Sequence, residues 1–324
     1  MIHNPLITIV IPYYNASGKI IKCLTSLKAQ TSNNFLVVFI DDRSTDNSKK
    51  VIQSELRDSN IKYEIIRNKK NIGPGYSRNV GINKTTTEYI TFLDSDDSID
   101  EEYIEVISNE INKSKPDCIC FDYSIVSKTK VINNKTIPNC AYGNPSVNMS
   151  LANIIGSTWG KVYKTEIIKN NKVKFPHLSR KEDMVFTKIA ISNCKVIRYI
   201  NKPLYNYIMR NDSLMHDDNL LDEQNSIDAF EMVWEKIHPE YHEELEYILT
   251  SECIYPVIYI MSKKQKRNKD IRKTIKSLRE KYKYKKNSYY KYLQTHKKII
   301  LFLYEAHLLS LLKFFTKASW GSKK

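Results

Sequence analysis

Three carboxylates, Asp94, Asp96 and Asp97, fall within four positions of the chain, directly after the apolar run Tyr89-Ile-Thr-Phe-Leu93. Two carboxylates about 5 Å apart repel by about 3 kcal/mol at an effective dielectric near ~20. A chain that gathers them at one strand end needs open water or a cation there. Asp-X-Asp suits a hard divalent ion that keeps several waters and also holds phosphate oxygens. A plainer reading is that Asp97 and Ser98 cap a helix beginning near Asp100. It explains one or two of the acids but not Asp94. A second acidic pair, Asp41-Asp42, closes another apolar run, and Arg78 opens the helix that precedes the first cluster. Paired acids, a further acid one strand away and an arginine suit a nucleotide diphosphate. A metal would neutralise the phosphates, and Asp42 could accept hydrogen bonds from base or ribose.

The elements that must position these groups are legible as apolar runs. Residues 6–11, 35–40, 61–67 and 89–93 read as four strands, mostly buried on both faces. Pro12 and the turn Tyr13-Tyr14-Asn15 halt the first, and a helix is expected from about residue 17 with Ile20, Ile21, Leu24 and Leu27 on one face. Ser44-Thr45-Asp46 supplies an N-cap for a second helix, running to about residue 56. Asn71-Ile-Gly-Pro-Gly75 leads into a third, carrying Ser77, Arg78 and Asn79. Strand–helix alternation of this kind predicts an α/β fold, a mostly parallel sheet with helices on both faces. In such sheets ligands bind beyond the carboxyl ends of the strands. Three of the four strands end in polar clusters, so the chemistry converges on one crevice. No Gly-x-Gly-x-x-Gly follows the first strand and no Gly-x-x-x-x-Gly-Lys-Ser/Thr occurs, which disfavours dinucleotide and P-loop chemistry.

Val-Ile-Pro-Tyr-Tyr-Asn, Ile-Asp-Asp-Arg-Ser-Thr-Asp, Asn-Ile-Gly-Pro-Gly-Tyr-Ser-Arg-Asn and Phe-Leu-Asp-Ser-Asp-Asp resemble, in order, the motifs of family 2 glycosyltransferases. These are inverting enzymes of the GT-A, Rossmann-like nucleotide-diphospho-sugar transferase fold, many from bacterial capsule, lipopolysaccharide or wall-polymer assembly. The resemblance covers residues 6 to about 215. It implies that Pro12, Tyr14 and Asp42 contact the nucleoside, that Arg78 and Asp94 line the nucleotide pocket, and that Asp96 ligates Mn²⁺ or Mg²⁺. Thr158-Trp-Gly-Lys-Val-Tyr163 resembles the family's Trp-Asn-Lys-Leu-Tyr element, with Gly160 in place of Asn. Trp159 and Tyr163 are sugar-stacking platforms on one reading and core aromatics on the other.

Ser179-Arg-Lys-Glu182 is a capping-box pattern ahead of an apolar run, which would make Glu182 only the partner of a helix cap. The resemblance instead places Glu182 at the acceptor and makes Asp183 the catalytic base. In the first turn of a helix the dipole favours the charged carboxylate, which can take a proton from a sugar hydroxyl. Leu204-Tyr-Asn-Tyr207 with Arg210, Ser213 and His216 resembles the family's Tyr-x-Tyr-x-x-Arg-x-x-Ser stretch. It implies a loop over the diphosphate, with Arg210 and Ser213 beside it and His216 as a further metal ligand.

The net charge of +15 is unevenly spread. Residues 1–262 carry 31 Lys+Arg against 33 Asp+Glu, whereas residues 263–324 carry 20 against 3. Beyond about residue 222 the pattern turns helical, which divides the chain into a catalytic domain over 1–220 and a basic helical region over 221–324. Pro256 should kink or divide a helix over 243–261. Residues 299–315 read as one apolar helix containing Glu305, His307, Ser310 and Lys313, short of the ~20 apolar residues that span a bilayer. Beside so many lysines this is the composition of an anchor on anionic lipid. A helical subdomain with its lysines in water is the alternative. Six scattered cysteines with no Cys-x-x-Cys pair argue for reduced thiols, and a chain that enters a strand near Leu6 argues for no cleavable leader.

Together these features predict a metal-dependent inverting glycosyltransferase on the cytoplasmic face of the membrane. Its donor would be a nucleotide-sugar, UDP-linked by the family's habit, and its acceptor a saccharide, free or lipid-linked. Nucleic acid is not an expected partner. A basic-tail nucleic-acid binder leaves the acidic crevice unexplained, and an inactive scaffold leaves Asp42, Asp94, Asp96 and Asp183 unexplained.

Overall fold

The computed structural model describes residues 4–210, 222–282 and 287–321. The first half alternates strand and helix: β1 (Ile7–Tyr13), α1 (Ile21–Lys28), β2 (Phe35–Asp41), α2 (Ser48–Leu56), β3 (Lys62–Arg67), α3 (Pro74–Lys84) and β4 (Tyr89–Phe92). It continues through β5 (Ser98–Ile99), α4 (Tyr103–Ser114), β6 (Cys118–Val126), β7 (Val131–Asn134), α5 (Val147–Asn153), β8 (Lys161–Lys164), α6 (Thr165–Asn170), α7 (Glu182–Ser192) and β9 (Ile197–Ile208). The strands order as β3-β2-β1-β4-β8-β6-β9-β5, with β7 paired to β6. β1, β2, β3 and β4 are mutually parallel. β8 then inserts antiparallel to both β4 and β6, so the sheet becomes mixed where the regular alternation of the sequence stops.

Position in the sheet explains the strand compositions. β1 and β4 have neighbours on both sides and are buried throughout, hence their unbroken apolar runs. β3 ends the sheet and leaves Lys62, Glu64 and Arg67 exposed. α1 buries Cys23, Leu24 and Leu27. It starts at Ile21 rather than near 17, because the preceding turn is held otherwise: Ala16 N–H donates to Ser48 Oγ (2.8 Å) and Ser17 N–H to Asp46 Oδ2 (2.9 Å). Ile21 therefore faces solvent, and the buried partner is Ile20. α3 lies so close to β1 that a Cβ on Gly81 would fall well inside contact distance of both Val10 methyl groups. Gly81→Ala should cost about 1–3 kcal/mol, the usual price of overpacking a filled site. A urea midpoint unchanged from wild type would contradict this packing.

The chain divides into two compact units. One comprises Met1–His177 with Glu182–His216, the other Leu178–Lys181 with Asp217–Lys324. The second unit is helical: α8 (Glu223–Lys236), α9 (His242–Ile248), α10 (Tyr255–Lys263), α11 (Asn268–Lys281), α12 (Thr295–Glu305) and α13 (Leu309–Gly321). The predicted break at Pro256 takes the form of a π-helical turn over Leu249–Ile254. Proline cannot donate to the preceding turn, and lysines serve the carbonyls there. Lys181 Nζ donates to Glu252 O (2.7 Å) and Lys297 Nζ to Ser251 O (3.1 Å). The single apolar helix expected over 299–315 is instead split between α12 and α13, with His307 left-handed at the joint (φ 64°). Among the described residues no helix is long and apolar enough to cross a membrane. All six cysteines are free and buried.

Candidate active site

Adjacent parallel strands put the carboxyl ends of β1, β2 and β4 on one edge of the sheet. Pro12 is buried in β1, while Tyr14 just past it is half exposed. Asp42, almost fully buried, holds the next loop: Oδ1 accepts from Asn68 Nδ2 (2.9 Å) and Ile72 N–H (2.9 Å), and Oδ2 from Gly73 N–H (2.8 Å). Gly73, at φ 83°, turns the chain into α3 with Pro74 in its first turn. Thus an acid at the end of β2 fixes where α3 starts, and so where Arg78 lies.

Arg78 is the hub of the site. It is 4% exposed, and its Nη2 donates to Asp94 Oδ1 (2.7 Å) while Nη1 donates to Asp183 Oδ1 (2.9 Å). One guanidinium thus clips the end of β4 to the first turn of α7. Burial opposes its charge, but Asp183 and then Asp94 outweigh burial and raise its pKa. Asp183 also accepts the Thr158 N–H, which ties it to the Trp159 element. Its pKa is raised: burial is the largest cause, and Arg78 opposes it. Beside it, burial and then the Asp183 charge push Glu182 up to about 7. The Ser179–Glu182 capping box does not form. Ser179 Oγ accepts from Asn225 Nδ2 (2.8 Å), and Lys181 turns left-handed (φ 69°) immediately before α7.

The three neighbouring acids separate completely. Asp94 faces Arg78, Asp96 is 40% exposed and ion-paired with Arg210, and Asp97 is buried. Asp97 is a structural anchor rather than a helix cap: Tyr205 Oη donates to Oδ2 (2.6 Å) and Ile208 N–H to Oδ1 (2.8 Å). Burial, then the Asp94 charge, push its carboxyl up to about 7. Because that value exceeds the ordinary ~3.9 of an unfolded Asp, the group adds stability at acid pH that is lost as pH rises through about 7. Asp97→Asn removes this titration. Its unfolding free energy from urea titration, relative to wild type, should therefore be more favourable at pH 8 than at pH 5, by at most about 1.4 kcal/mol for each pH unit below about 7. A pH-independent difference would contradict the assignment.

Trp159 is half-buried, stacked on Tyr205 (4.8 Å, 8°) and packed near Tyr207. Tyr163, by contrast, is fully buried against Phe186 and is a core aromatic, not a sugar platform. Gly160 stands at φ 78°, where a Cβ would lie 2.9 Å from Thr136 Oγ1, which accounts for glycine at this position. Ser213 and His216 lie outside the described residues. Two buried polar residues escaped the sequence reading. Asn68 Nδ2 bridges Asp42 and Ser77 Oγ (3.0 Å). Lys161, wholly buried, donates to Ser157 O (2.6 Å) and Trp159 O (3.1 Å), and burial pulls its pKa down to about 8. Lys161 sits inside the Trp-Gly-Lys element, and that placement was the only signal for it.

The carboxylates at this strand end that reach solvent are those of Asp96 (40% exposed) and Asp94 (27%). Among the described residues no cluster of three or more His, Cys, Asp or Glu could form a protein cage. One or two carboxylates fit an ion that draws its remaining ligands from water and from a bound diphosphate.

Residues 8–190 match the family model described as Glycosyl transferase family 2. The chain belongs to that family. This family 2 chain is 33% identical over 213 residues to the poly(ribitol-phosphate) beta-glucosyltransferase of Bacillus spizizenii, covering 64% of this chain and 32% of that protein. It spans about a third of the length of the curated relatives matched first. Among solved structures, S. aureus TarS 1–349 in complex with UDP-GlcNAc superposes with a TM-score of 0.59 at 22% identity, over 79% of this chain and 84% of that one. The mannosyltransferase PcManGT of Pyrobaculum calidifontis, in complex with GDP-Man and Mn²⁺, gives 0.56 at 13% identity, over 100% and 89%. At these identities the likeness shows the fold, which is the GT-A fold expected of the family 2 motifs.

Proposed function

We propose that this family 2 protein transfers a sugar from a UDP-sugar to a hydroxyl of a saccharide acceptor, with inversion, in the assembly of a bacterial surface polysaccharide. The observation that carries this reading is the single buried Arg78 holding Asp94, at the end of β4, against Asp183, at the start of α7. Names of relatives add support: one acts on poly(ribitol-phosphate), and one neighbour is seen with UDP-GlcNAc. Pro12, Tyr14 and Asp42 frame the nucleoside side of the crevice. Asp183 takes the proton of the acceptor hydroxyl as that oxygen bonds to the anomeric carbon. The bond from that carbon to the diphosphate breaks, and UDP leaves with the electron pair. Attack from the face opposite the leaving group inverts the centre. Glu182, whose pKa burial and then the Asp183 charge push up to about 7, hydrogen-bonds acceptor hydroxyls, and Trp159 offers them an apolar surface. Arg210 and Ser213 serve the diphosphate, and His216 is a further candidate ligand.

Asp96 and Asp94 would hold Mn²⁺ or Mg²⁺, which supplies positive charge to the departing diphosphate. Asp96 is ion-paired with Arg210, which makes it a compensated, accessible carboxylate. Asp96→Ala should abolish turnover yet melt within a few degrees of wild type, and excess EDTA should silence the wild type until Mn²⁺ or Mg²⁺ is restored. Full transfer in EDTA would remove the metal from the account. The basic second unit suits a peripheral position on the inner membrane face, where a lipid-linked acceptor would be met in two dimensions.

A further inference from the structure

Outside the acidic crevice, unassigned features concentrate on one part of the helical unit. α11 buries Ile271, Ile275 and Leu278. Its other positions are largely cationic, and Arg272, Lys276 and Arg279 recur at the i, i+4, i+7 spacing of one helix face. With Glu280 and Tyr304 they line an open cavity of about 370 Å³. The guanidinium carbons of Arg272 and Arg279 stand 5.3 and 5.4 Å from the centre of the Tyr304 ring. Both guanidiniums thus lie by the one ring in the cavity lining, and Arg272 Nη2 also donates to Tyr304 O (3.4 Å). Acidic partners are close as well: Glu305 Oε1 lies 3.4 Å from Arg279 and Glu280 Oε1 3.7 Å from Lys276.

α12 and α13 bury Ile300, Leu301, Tyr304, Leu309 and Leu312 within this unit, yet leave a second apolar set outside. Phe302 is 63% exposed and Phe314 67%, with Ile299, Leu308 and Leu311 also exposed. Large apolar side chains left outside in one short stretch mark a contact with a partner or a membrane. The surrounding charge decides between them. Protein interfaces are depleted in lysine, whereas residues 263–324 carry 20 Lys+Arg against 3 acids. That composition complements an anionic lipid surface.

We propose that α11, α12 and α13 form a lipid-docking face. Phe302, Leu311 and Phe314 enter the headgroup–acyl boundary, and the Arg272–Lys276–Arg279 cavity binds the phosphate of an anionic phospholipid headgroup. This deepens the peripheral-membrane part of the reading above and rests on it. The planar, fork-like donors of two arginines match phosphate geometry, and Lys276 adds a point charge.

The test is co-sedimentation of the full chain with phosphatidylcholine vesicles, with and without 30% phosphatidylglycerol, in low and high salt. Wild type should bind the anionic vesicles only, more weakly in high salt. Arg272→Gln/Lys276→Gln/Arg279→Gln should lose about 10- to 100-fold in affinity, since each engaged cation contributes ~1 kcal/mol. The control Lys266→Gln/Lys269→Gln/Lys273→Gln removes equal charge from exposed positions and should lose markedly less. Phe302→Ser/Phe314→Ser should lose the part of binding that salt leaves intact. If both triple variants weaken alike, the phosphate cavity is wrong while membrane docking stands. If wild type ignores anionic vesicles in low salt, or prefers a single-stranded oligonucleotide to them, both fall.

Discussion

Asp183→Asn is expected to keep nucleotide-sugar binding and to lose transfer by about 10²–10⁴-fold, the usual share of general-base catalysis. The amide retains an Oδ1 that can accept from Arg78 Nη1, the contact that joins the side chain to the end of β4. The fold and the position of α7 should therefore survive. What is lost is the capacity to take the acceptor proton. Burial raises the Asp183 pKa even though Arg78 opposes it, so the wild-type rate should fall on acidification at a higher pH than an ordinary carboxylate would give. Asp183→Asn should lack that limb. A variant with near-normal turnover would show that Asp183 is only a partner of Arg78.

Arg78→Met should be the most destabilising single change in the site. A methionine leaves Asp94 and Asp183, each only partly exposed, without the guanidinium that joins them, with Glu182 beside them and Lys161 as the remaining cation acting on Asp183. Removing one partner of a buried pair costs about 3–5 kcal/mol, a large share of the ~5–15 kcal/mol that holds a domain together. The pH dependence has a defined sign. Without the arginine, which opposes the rise at Glu182 and Asp183, the folded-state pKa values of those two carboxylates move further above their unfolded values. The variant therefore approaches wild type in acid and falls behind as pH rises through neutrality. Urea midpoints at pH 5.5 and pH 8 measure this directly, and Arg78→Lys should recover part of the loss. An Arg78→Met deficit that is small, or larger in acid, would mean that Arg78 is not the clip between β4 and α7.

The crevice was legible because parallel strands buried on both faces have to be continuous apolar runs. The residues that end β1, β2 and β4 therefore had to share an edge. The fates of adjacent acids were not legible. Asp96 and Asp97 differ only in which side of a tight turn they leave, and that is decided by Tyr205 and Ile208, more than a hundred residues away. The Arg78 clip is likewise a long-range fact, since its partners stand 16 and 105 positions along the chain. Local patterns failed where tertiary partners were stronger. Ser179 had the spacing of a cap but is hydrogen-bonded to Asn225 instead. The joint at His307 carries neither glycine nor proline to announce it. Lys161 had only its place in the Trp-Gly-Lys element to mark it, because lysine is so rarely buried.

The central claim is that the crevice at the ends of β1, β2 and β4 binds a UDP-sugar and delivers its sugar to a hydroxyl. Calorimetric titration of the full chain with UDP-, GDP- and dTDP-sugars in Mn²⁺, paired with release of the free nucleotide on adding saccharide acceptors, tests it most directly. At least one UDP-sugar should bind and be consumed, with an inverted product, and GDP- and dTDP-sugars should bind more weakly. Asp183→Asn should bind that donor but not consume it. A chain that binds none of these nucleotide-sugars, or an Asp183→Asn variant that consumes the donor as fast as wild type, would contradict it.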